Sequence, residues 1–358
     1  MRIYKRGIDL ERRKSRVIYC GGVPIGGDNP IPVQSMTNTD TRDVEKTAAQ
    51  IKALEEAGCD IVRVAVLDMD AAKAIKDIKE KVNIPIIADI HFDYRLALES
   101  VKSGVDGLRI NPGNIGDEER VKKVVEACRE KDIPIRIGVN SGSVRRDIIE
   151  KFGGVNEDSL VYSAMEHIKI LEKLDYRNIK VSIKTTEVEL TVKAYKKIAE
   201  LTDYPLHLGI TEAGTVWAGT IKSAVGIGAM LLDGIGDTLR VSLTGDPVEE
   251  VKVGKQILRT LGLLRDKIEI VSCPTCGRTQ IDLIELANRA EKVLKDVDKP
   301  IKVAIMGCAV NGPGEAREAD IGVAGGIGEG LIFKKGKVVK KVKEEDLLDE
   351  LLKEIEKL

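Results

Sequence analysis

The spacing of apolar and polar residues follows one repeating pattern over most of the chain. From residue 30 to about residue 262 a unit recurs eight times: a short β-branched run, a polar or glycine-containing loop, and an amphipathic stretch with helical spacing. Eight such units predict a (β/α)8 TIM barrel, although a doubly wound open sheet has the same local pattern. The predicted strands are 32–36, 61–66, 84–90, 107–110, 133–139, 179–183, 206–210 and 238–243, and the clearest helices are 44–57, 118–130, 157–174 and 248–261.

The pattern changes after Leu264, where a small α+β domain is expected. A predicted strand, a cysteine loop, a helix, a second strand and a second cysteine loop precede a glycine-rich segment and a charged amphipathic helix that closes the domain surface. In order, these elements occupy 267–271, 280–294, 301–305 and 344–358, with the two loops after the strands. We therefore expect a barrel domain over 1–264 and a small α+β domain, which contains both cysteine loops, over 265–358.

Composition narrows the class of function. The chain carries 57 Lys and Arg against 58 Asp and Glu, and its aromatic content is 3%. Neither value favours binding to nucleic acid or to a membrane surface. The longest uncharged apolar run, near residues 223–232, is about half of a bilayer span, and the basic first residues lack a signal-peptide pattern. A cytoplasmic protein acting on small molecules is expected.

Two loops contain cysteines at ligand spacing. Cys273 and Cys276 lie in a C-P-T-C sequence, a spacing found in zinc ribbons, iron-sulfur clusters and thioredoxin-like pairs. Cys308 lies in the second loop, and both loops directly follow predicted strands, which would hold the thiolates in fixed positions. The other three cysteines, Cys20, Cys59 and Cys128, belong to the barrel region.

With no fourth cysteine in the small domain, Glu315 is the candidate for a fourth ligand. The glycine and proline residues before it can turn the chain back, and a carboxylate is a harder and more exchangeable ligand than a thiolate. One iron would then differ from the other three. There are two alternatives to an iron-sulfur cluster. One is a zinc site completed by another side chain or by water, and the other is three unrelated buried cysteines.

Cations recur inside the predicted barrel strands. A basic residue facing a packed interior is costly unless an anion neutralises it. An internal salt bridge explains any one of them, but the nearby carboxylates, chiefly Asp89 and Glu212, are too few for all. A polyanionic ligand is the simpler hypothesis. The cations are Arg63, Arg109, Arg136, Lys184 and Arg240. Arg240 is included on the basis of its position alone.

Other polar residues follow the same strand ends. Glu212, after the seventh strand, is the candidate general acid, although a carboxylate placed only at a helix N-terminus is the alternative. Asp89 and His91 are weaker candidates for contacting substrate hydroxyl groups. The glycine-rich segment 325–330 lacks the context of a dinucleotide-binding motif and predicts a tight turn. Further polar residues at strand ends are Asn111, Asn140, Thr211 and Ser242.

These segments together resemble the bacterial 4-hydroxy-3-methylbut-2-enyl diphosphate synthase family. The resemblance rests on 273–279, 307–315, 24–27 and 33–37, extends over essentially the whole chain, and lacks the large insert of plant members. It implies reductive ring opening and dehydroxylation of 2-C-methyl-D-erythritol 2,4-cyclodiphosphate, a 4Fe-4S cluster, and reduced ferredoxin or flavodoxin as electron donor. It also implies that the diphosphate is held by Arg63, Arg109, Arg136, Asn140, Lys184 and Ser242.

The connection between the two predicted domains favours a homodimer. Only residues 263–266 separate the last barrel helix from the next strand, too few to carry the cluster domain to the mouth of its own barrel. A head-to-tail homodimer with the active site formed in trans resolves this, as the resemblance also implies. The competing functions are a pterin-binding transferase-like barrel with a zinc site, and an iron-sulfur sensor or electron carrier.

Overall fold

A computed structural model describes residues 11–295, 297–308 and 316–358. Contacts divide the chain into two compact units, Met1–Leu264 and Arg265–Leu358. Each unit has its own hydrophobic core, and the two are described separately below.

The first unit alternates strands and helices. Its strands are β1 (Ile18–Cys20), β2 (Val23–Ile25), β3 (Gln34–Met36), β4 (Ile61–Ala65), β5 (Ile86–Asp89), β6 (Gly107–Ile110), β7 (Ile135–Asn140), β8 (Ile179–Lys184), β9 (His207–Leu208) and β10 (Thr238–Leu239). Its helices are α1 (Val44–Glu56), α2 (Met69–Lys79), α3 (Tyr94–Lys102), α4 (Glu118–Glu130), α5 (Arg146–Phe152), α6 (Glu157–Lys173), α7 (Val188–Leu201), α8 (Val216–Leu232) and α9 (Pro247–Thr260). The short helix α5 was not predicted.

Eight of these strands run parallel around a barrel. Strands β3 to β8 form one six-stranded parallel sheet in chain order, and β9 pairs with β10. A single parallel bridge from Val181 to Leu206 connects β8 to the segment before β9. A second, from Val33 to Leu239, connects the segment before β3 to β10. The order of strands therefore returns to its start. We call the end at which these strands terminate the mouth.

The barrel helices begin in the loops at this mouth. Helices α1 to α4 each begin with an aspartate whose carboxylate accepts a hydrogen bond from a backbone N–H of the first turn. Such N-caps satisfy otherwise unpaired donors and fix where each helix starts. The aspartates are Asp43, Asp68, Asp93 and Asp117.

The last two barrel strands are shorter than the sequence predicted. Instead of 206–210 and 238–243, the regular ladder covers two residues in each. The backbone N–H of Arg240 still donates to Leu208 at 3.0 Å, but that of Leu243 donates to the carboxylate of Glu250 on α9, also at 3.0 Å. A helix side chain replaces the neighbouring strand as hydrogen-bond partner.

The end of the barrel opposite the mouth is closed by a hairpin that the sequence analysis did not anticipate. Strands β1 and β2 pair antiparallel, and Ile18, Cys20 and Ile25 pack on Ile61 and Ile87 of the barrel strands. Because Ile61 begins β4, this contact lies at the amino ends of the strands. The mouth is then the accessible end of the interior.

The second unit is a five-stranded mixed sheet with helices. Parallel strands β11, β12 and β13 are followed by antiparallel β14 and β15 in that spatial order. The glycine-rich segment forms the turn between β13 and β14, as predicted, and the final helix begins at Leu347 rather than 344, after a 3-10 turn. The elements are β11 (Glu269–Ser272), α10 (Leu283–Leu294), β12 (Lys302–Met306), β13 (Ile321–Gly325), β14 (Glu329–Lys334), β15 (Lys337–Lys343) and α11 (Leu347–Glu356).

No helix in the described ranges is both long enough and apolar enough to span a bilayer.

Candidate functional site

A polar cavity of about 220 Å³ opens at the mouth of the barrel. Side chains from five strands, β4 to β8, and from the segments that follow β5, β9 and β10 converge on it. It is lined by Arg63, Asp89, His91, Arg109, Arg136, Asn140, Ser182, Lys184, Thr211, Arg240 and Ser242. All of these except Ser182 are residues that the sequence analysis singled out at strand ends.

The alternation of side chains along β8 explains how charged groups enter the barrel interior. Ile179, Val181 and Ile183 pack in the apolar core outside the strands, so the intervening residues face inward. Lys184 and Ser182 reach the cavity. Lys180, deeper on the same face, is fully buried, and burial lowers its pKa to about 8. The period of two in this strand identifies Ser182 and Lys180, which the sequence analysis had missed.

Asp89 is the one carboxylate among the described residues that line the cavity. Arg109 Nη1 donates to its Oδ1 at 3.0 Å, and Arg63 Nε lies 3.4 Å from its Oδ2. Burial by itself raises the pKa of Asp89, but the charge of Arg63, the hydrogen bond of His91 and the charge of Arg109 outweigh it. The pKa therefore lies well below its usual range, and Asp89 is ionised. One negative charge serves two arginines.

Arg136 is buried without such a partner. Its side chain is 2% exposed, and its only hydrogen bond within the described part of the chain runs from Nη1 to Ser182 Oγ at 3.3 Å. Nε and Nη2 have no partner there. Burial, then the charges of Arg63 and Arg109, lower the pKa of Arg136 well below its usual value. These donors lie beside a cavity that an anion could enter.

Lys184, on the neighbouring strand β8, is likewise buried without a carboxylate partner in the described part of the chain. It is 7% exposed, and no carboxylate of the described residues lies within ion-pair distance of its ammonium. Burial and the charges of Arg136 and Arg240 lower the pKa of Lys184 well below its usual value. An anion between Arg136 and Lys184 would relieve this repulsion.

Arg63 and Arg240, unlike Arg136 and Lys184, each have a carboxylate within ion-pair distance in the described ranges. Arg240 Nε lies 3.3 Å from a carboxylate oxygen of Glu250, which also accepts a hydrogen bond from Ser35. Arg63 contacts Asp89 and the sulfur of Met36, and burial lowers its pKa to about 10. Glu250 was missed because it lies on α9, outside the barrel, and reaches the strand ends from there. The sequence analysis, which named chiefly Asp89 and Glu212 as nearby carboxylates, did not include Glu250.

An inward-facing glycine makes room for the guanidinium of Arg109. A β-carbon on Gly138 of β7 would lie 2.7 Å from Arg109 Nε and 3.1 Å from its Nη2. The guanidinium lies against the bare backbone of the neighbouring strand and points toward Asp89. Space, rather than backbone conformation, accounts for glycine at this position.

The remaining predicted contacts divide into three groups. His91, Asn140, Thr211 and Ser242 line the cavity. Asn111 is buried, and its Oδ1 has no partner in the described ranges, but it does not line the cavity. Glu212 is exposed on the rim directly after Thr211, with φ of 50°, in the left-handed region that non-glycine residues rarely adopt.

The cysteine loops lie at one end of the sheet of the second unit. Cys273 follows β11 and Cys308 follows β12, and these strands are adjacent and parallel. The backbone N–H of Gly307 donates to Cys273 Sγ at 3.2 Å. Residues 309–315, including the predicted ligand Glu315, lie outside the described residues. In the part of the chain described, no three His, Cys, Asp or Glu side chains are grouped closely enough to hold a metal ion.

The cysteines of the two units differ in chemistry. Hydrogen bonds from the backbone and side chain of Arg278 lower the pKa of the exposed Cys276 thiol. Burial instead raises the pKa to about 12 for each barrel cysteine: Cys20, Cys59 and Cys128. The thiolate is the form that binds metals, so Cys276 is better suited as a metal ligand than the three barrel cysteines.

Two family models match the chain. One, described as the GcpE TIM-barrel domain, matches residues 15–255, and the other, the GcpE protein C-terminal domain, matches residues 269–357. The 4-hydroxy-3-methylbut-2-en-1-yl diphosphate synthase (flavodoxin) of Clostridium perfringens is 62% identical over 97% of this chain and 99% of its own length. The enzyme of the same name from Caldanaerobacter subterraneus subsp. tengcongensis is 63% identical over 97% and 98%.

Similar solved structures support the barrel fold alone. Dihydropteroate synthase of Yersinia pestis superposes with a TM-score of 0.50 and 11% identity over 69% of this chain and 97% of that one. The Stenotrophomonas maltophilia enzyme gives 0.51 and 13% over the same shares. At this identity the likeness carries no information about substrate.

Because Arg136 and Lys184 are buried without a carboxylate partner among the described residues, we expect them to lower the free energy of unfolding, and we expect a bound anion to restore it. Lys184→Met should raise the free energy of unfolding by about 1–4 kcal/mol, because a buried charge is replaced by an apolar chain of similar length. Inorganic diphosphate at a hundred times its dissociation constant should add about 2.7 kcal/mol to the wild-type protein and far less to the variant. Urea unfolding with and without diphosphate measures both.

The gain from Lys184→Met should depend on pH. The lowered pKa in the folded state means that the unfolded state binds more protons between that pKa and about 10.4. Wild-type stability therefore rises with pH through this window, and the advantage of the variant shrinks. The exposed Lys73→Met is the control, with no expected change. A destabilised Lys184→Met protein that still responds to diphosphate would show that Lys184 has a structural partner instead.

Proposed function

The chain belongs to the GcpE family, and we propose that its barrel cavity binds 2-C-methyl-D-erythritol 2,4-cyclodiphosphate for reductive ring opening and dehydroxylation. The product is 4-hydroxy-3-methylbut-2-enyl diphosphate, and the reaction is a step of non-mevalonate isoprenoid biosynthesis. The curated relatives at about 60% identity bear the name of this synthase. The protein is an oxidoreductase.

The observation that carries the proposal is the excess of buried positive charge at the barrel mouth. Five cations and one carboxylate line the cavity, and among the cations Arg136 has two nitrogen donors, Nε and Nη2, without a partner in the described ranges. A diphosphate supplies the missing negative charge with oxygen atoms that suit guanidinium forks. In this proposal Arg63, Arg109, Arg136, Asn140, Lys184 and Ser242 hold the diphosphate, with Arg240 as a more distant cation.

The hydroxyl-bearing carbon chain needs other partners. Asp89 and His91 lie on the cavity wall next to Arg109, where ionised Asp89 can accept a hydrogen bond from a substrate hydroxyl. Asn111, buried with an unpaired side-chain oxygen, is a weaker candidate. These contacts would orient the carbon skeleton toward the mouth while the arginines hold the phosphates.

Electrons require a redox centre, and the donor set of the second unit suits an iron-sulfur cluster. Cys273, Cys276 and Cys308 provide soft thiolates on two adjacent loops, and the N–H of Gly307 already donates to one sulfur, as amides do around such clusters. Glu315 is the proposed fourth ligand. A bound 4Fe-4S cluster would supply the two electrons one at a time. The name of the relatives indicates flavodoxin as the donor, with reduced ferredoxin as the alternative.

Loss of oxygen from the substrate as water also requires a proton. Glu212 is the proposed general acid, since it is the ionisable residue next to Thr211 on the cavity wall. In the barrel alone it is exposed. A body that covers the mouth would exclude water from around this carboxyl group, which favours its role as a proton donor to the substrate.

The competing functions explain less of the molecule. A zinc site on a transferase-like barrel matches the fold likeness to dihydropteroate synthases, but the family match covers both units of the chain. An iron-sulfur sensor or carrier has no use for a buried cluster of cations in the barrel. The reductive synthase uses both units.

We further propose that the active site is assembled in trans within a homodimer. Barrel helices run from the mouth to the opposite end, and α9, with 14 residues, is about 21 Å long. From Leu264 to Glu269, where β11 begins, the chain can span at most about 18 Å. That is too short to return to the mouth, so the small domain of a second copy would cover it.

Exposed apolar residues support contact with a second body. Leu67, Phe92 and Trp217, each about three quarters exposed, lie in the loops or helix start at the mouth. From Trp217 an exposed apolar stripe continues along α8 through Ile221, Val225 and Leu232, and Lys222 is the single charge of this helix. An uncharged stripe of this kind can pack against its own copy across a two-fold axis.

The cluster proposal predicts which cysteines matter. Cys308→Ala or Cys276→Ala should lose most iron and sulfide after anaerobic purification, and turnover of the cyclodiphosphate with a chemical reductant should vanish. Glu315→Ala should keep a labile or three-iron cluster with little activity. Cys128→Ala is the matched control and should keep both. Zinc instead of iron and sulfide, or full activity with four irons in Glu315→Ala, would contradict the proposed centre or ligand.

The trans proposal predicts recovery of activity on mixing two inactive variants. Glu212→Gln lacks the acid and Cys276→Ala lacks the cluster, so a mixed dimer contains one complete site. Random exchange of equal amounts should restore about a quarter of wild-type activity. Mixing Glu212→Gln with Arg136→Met, both altered in the barrel, is the control and should restore none. Inactive mixed dimers, verified by tagging both chains, or an active monomer, would rule out assembly in trans.

A further inference from the structure

The buried residue His207 lies against Lys184. His207 of β9 is 0% exposed and does not line the cavity. Its Nε2 is 3.4 Å from Lys184 Nζ, and its Nδ1 is 2.6 Å from Oγ1 of Thr238 on β10. Within the described residues, this imidazole is the hydrogen-bond partner of the Lys184 ammonium.

The protonation state of His207 determines which group donates and which accepts in its contact with Lys184. Burial, then the charges of Lys184, Arg136 and Lys180, lower the pKa of His207 well below its usual value. The ring is therefore neutral, with one donor and one acceptor. While Lys184 is protonated its ammonium can only donate, so the lone pair on Nε2 then faces Lys184 and Nδ1–H donates to Thr238.

The surroundings hold both side chains in place. Tyr195 Oη donates to the backbone carbonyl of His207 and accepts from the N–H of Ile183 at 3.2 Å. A β-carbon on Gly209 would lie 2.7 Å from Lys184 Nζ, so the ammonium passes over bare backbone. Lys184 is thus confined between an imidazole acceptor and a glycine.

We infer that His207 is a positioning residue that fixes the ammonium of Lys184 at the cavity wall without neutralising it. This role rests on the proposed diphosphate site. A carboxylate in the same place would pair with the lysine, as Glu250 does with Arg240, and would compete with the substrate phosphate. A neutral acceptor orients the cation and leaves its charge for the ligand. His207 acts through Lys184 and not on the substrate itself.

Two amide variants separate the two ring nitrogens. His207→Gln can place its side-chain oxygen near the position of Nε2, whereas His207→Asn reaches only the position of Nδ1. Titration of the full-length, anaerobically purified protein with the cyclodiphosphate should show about tenfold weaker binding for His207→Asn. Binding by His207→Gln should stay within about threefold of wild type, with KM raised more than kcat is lowered in the asparagine variant.

The effect should disappear when Lys184 is absent. In a Lys184→Met background, His207→Asn should change affinity by less than about twofold, because the interaction it removes no longer exists. A merely structural histidine would weaken binding equally in both backgrounds, and that result would overturn the assignment. So would wild-type affinity in His207→Asn while Lys184→Met binds weakly. Normal binding by Lys184→Met would instead remove the diphosphate site, and this role with it.

If His207→Asn does not fold, a second variant can test the same role of His207. Thr238→Val keeps the shape of the side chain and removes the acceptor of Nδ1–H, so the ring loses the contact that fixes its tautomer. Cyclodiphosphate should bind about threefold or more weakly to this variant, again only when Lys184 is present. Unchanged affinity in a folded Thr238→Val protein would overturn the assignment.

Discussion

The barrel interior contains more positive charge than its own carboxylates can neutralise, and the arrangement around the mouth follows from that constraint. Asp89 serves both Arg63 and Arg109, Glu250 serves Arg240, and Arg136 and Lys184 remain without a carboxylate in the described ranges. Burying such charges costs stability unless a ligand compensates them. In the proposed function, a bound diphosphate would offset this cost.

The geometry directs these cations toward one place. Strand alternation turns Arg136, Ser182 and Lys184 inward, and Gly138 leaves room for the guanidinium of Arg109. Neutral partners, such as the hydroxyl of Ser182 and the imidazole of His207, orient side chains without cancelling their charge. The hairpin at the opposite end closes the barrel with apolar residues, so the positive potential is open to solvent at the mouth.

Much of this could be predicted from the sequence, since strand-end polar residues in a repeated βα pattern identify the mouth. Ten of the cavity residues were found in this way, and the turn at the glycine-rich segment was also correct. Glu250 could not be found, because it acts from an outer helix whose rotation around the barrel is set by packing. His207 looked like part of an apolar strand, and its role depends on a contact across β8 and β9. The hydrogen bond from the N–H of Leu243 to Glu250, beyond β10, is likewise a contact that no local pattern encodes.

The central claim is that the ligand supplies the negative counter-charge that no carboxylate of the described residues provides for Lys184. This claim can be tested by measuring the protons taken up on ligand binding. Isothermal titration of the cyclodiphosphate in two buffers of different ionisation enthalpy, between about pH 6 and pH 9, gives the number of protons bound with the ligand. A bound diphosphate should return the lowered pKa of Lys184 toward its usual value, so we expect net proton uptake that Lys184→Met largely abolishes. Binding without proton uptake, or equal uptake by both proteins, would contradict the account.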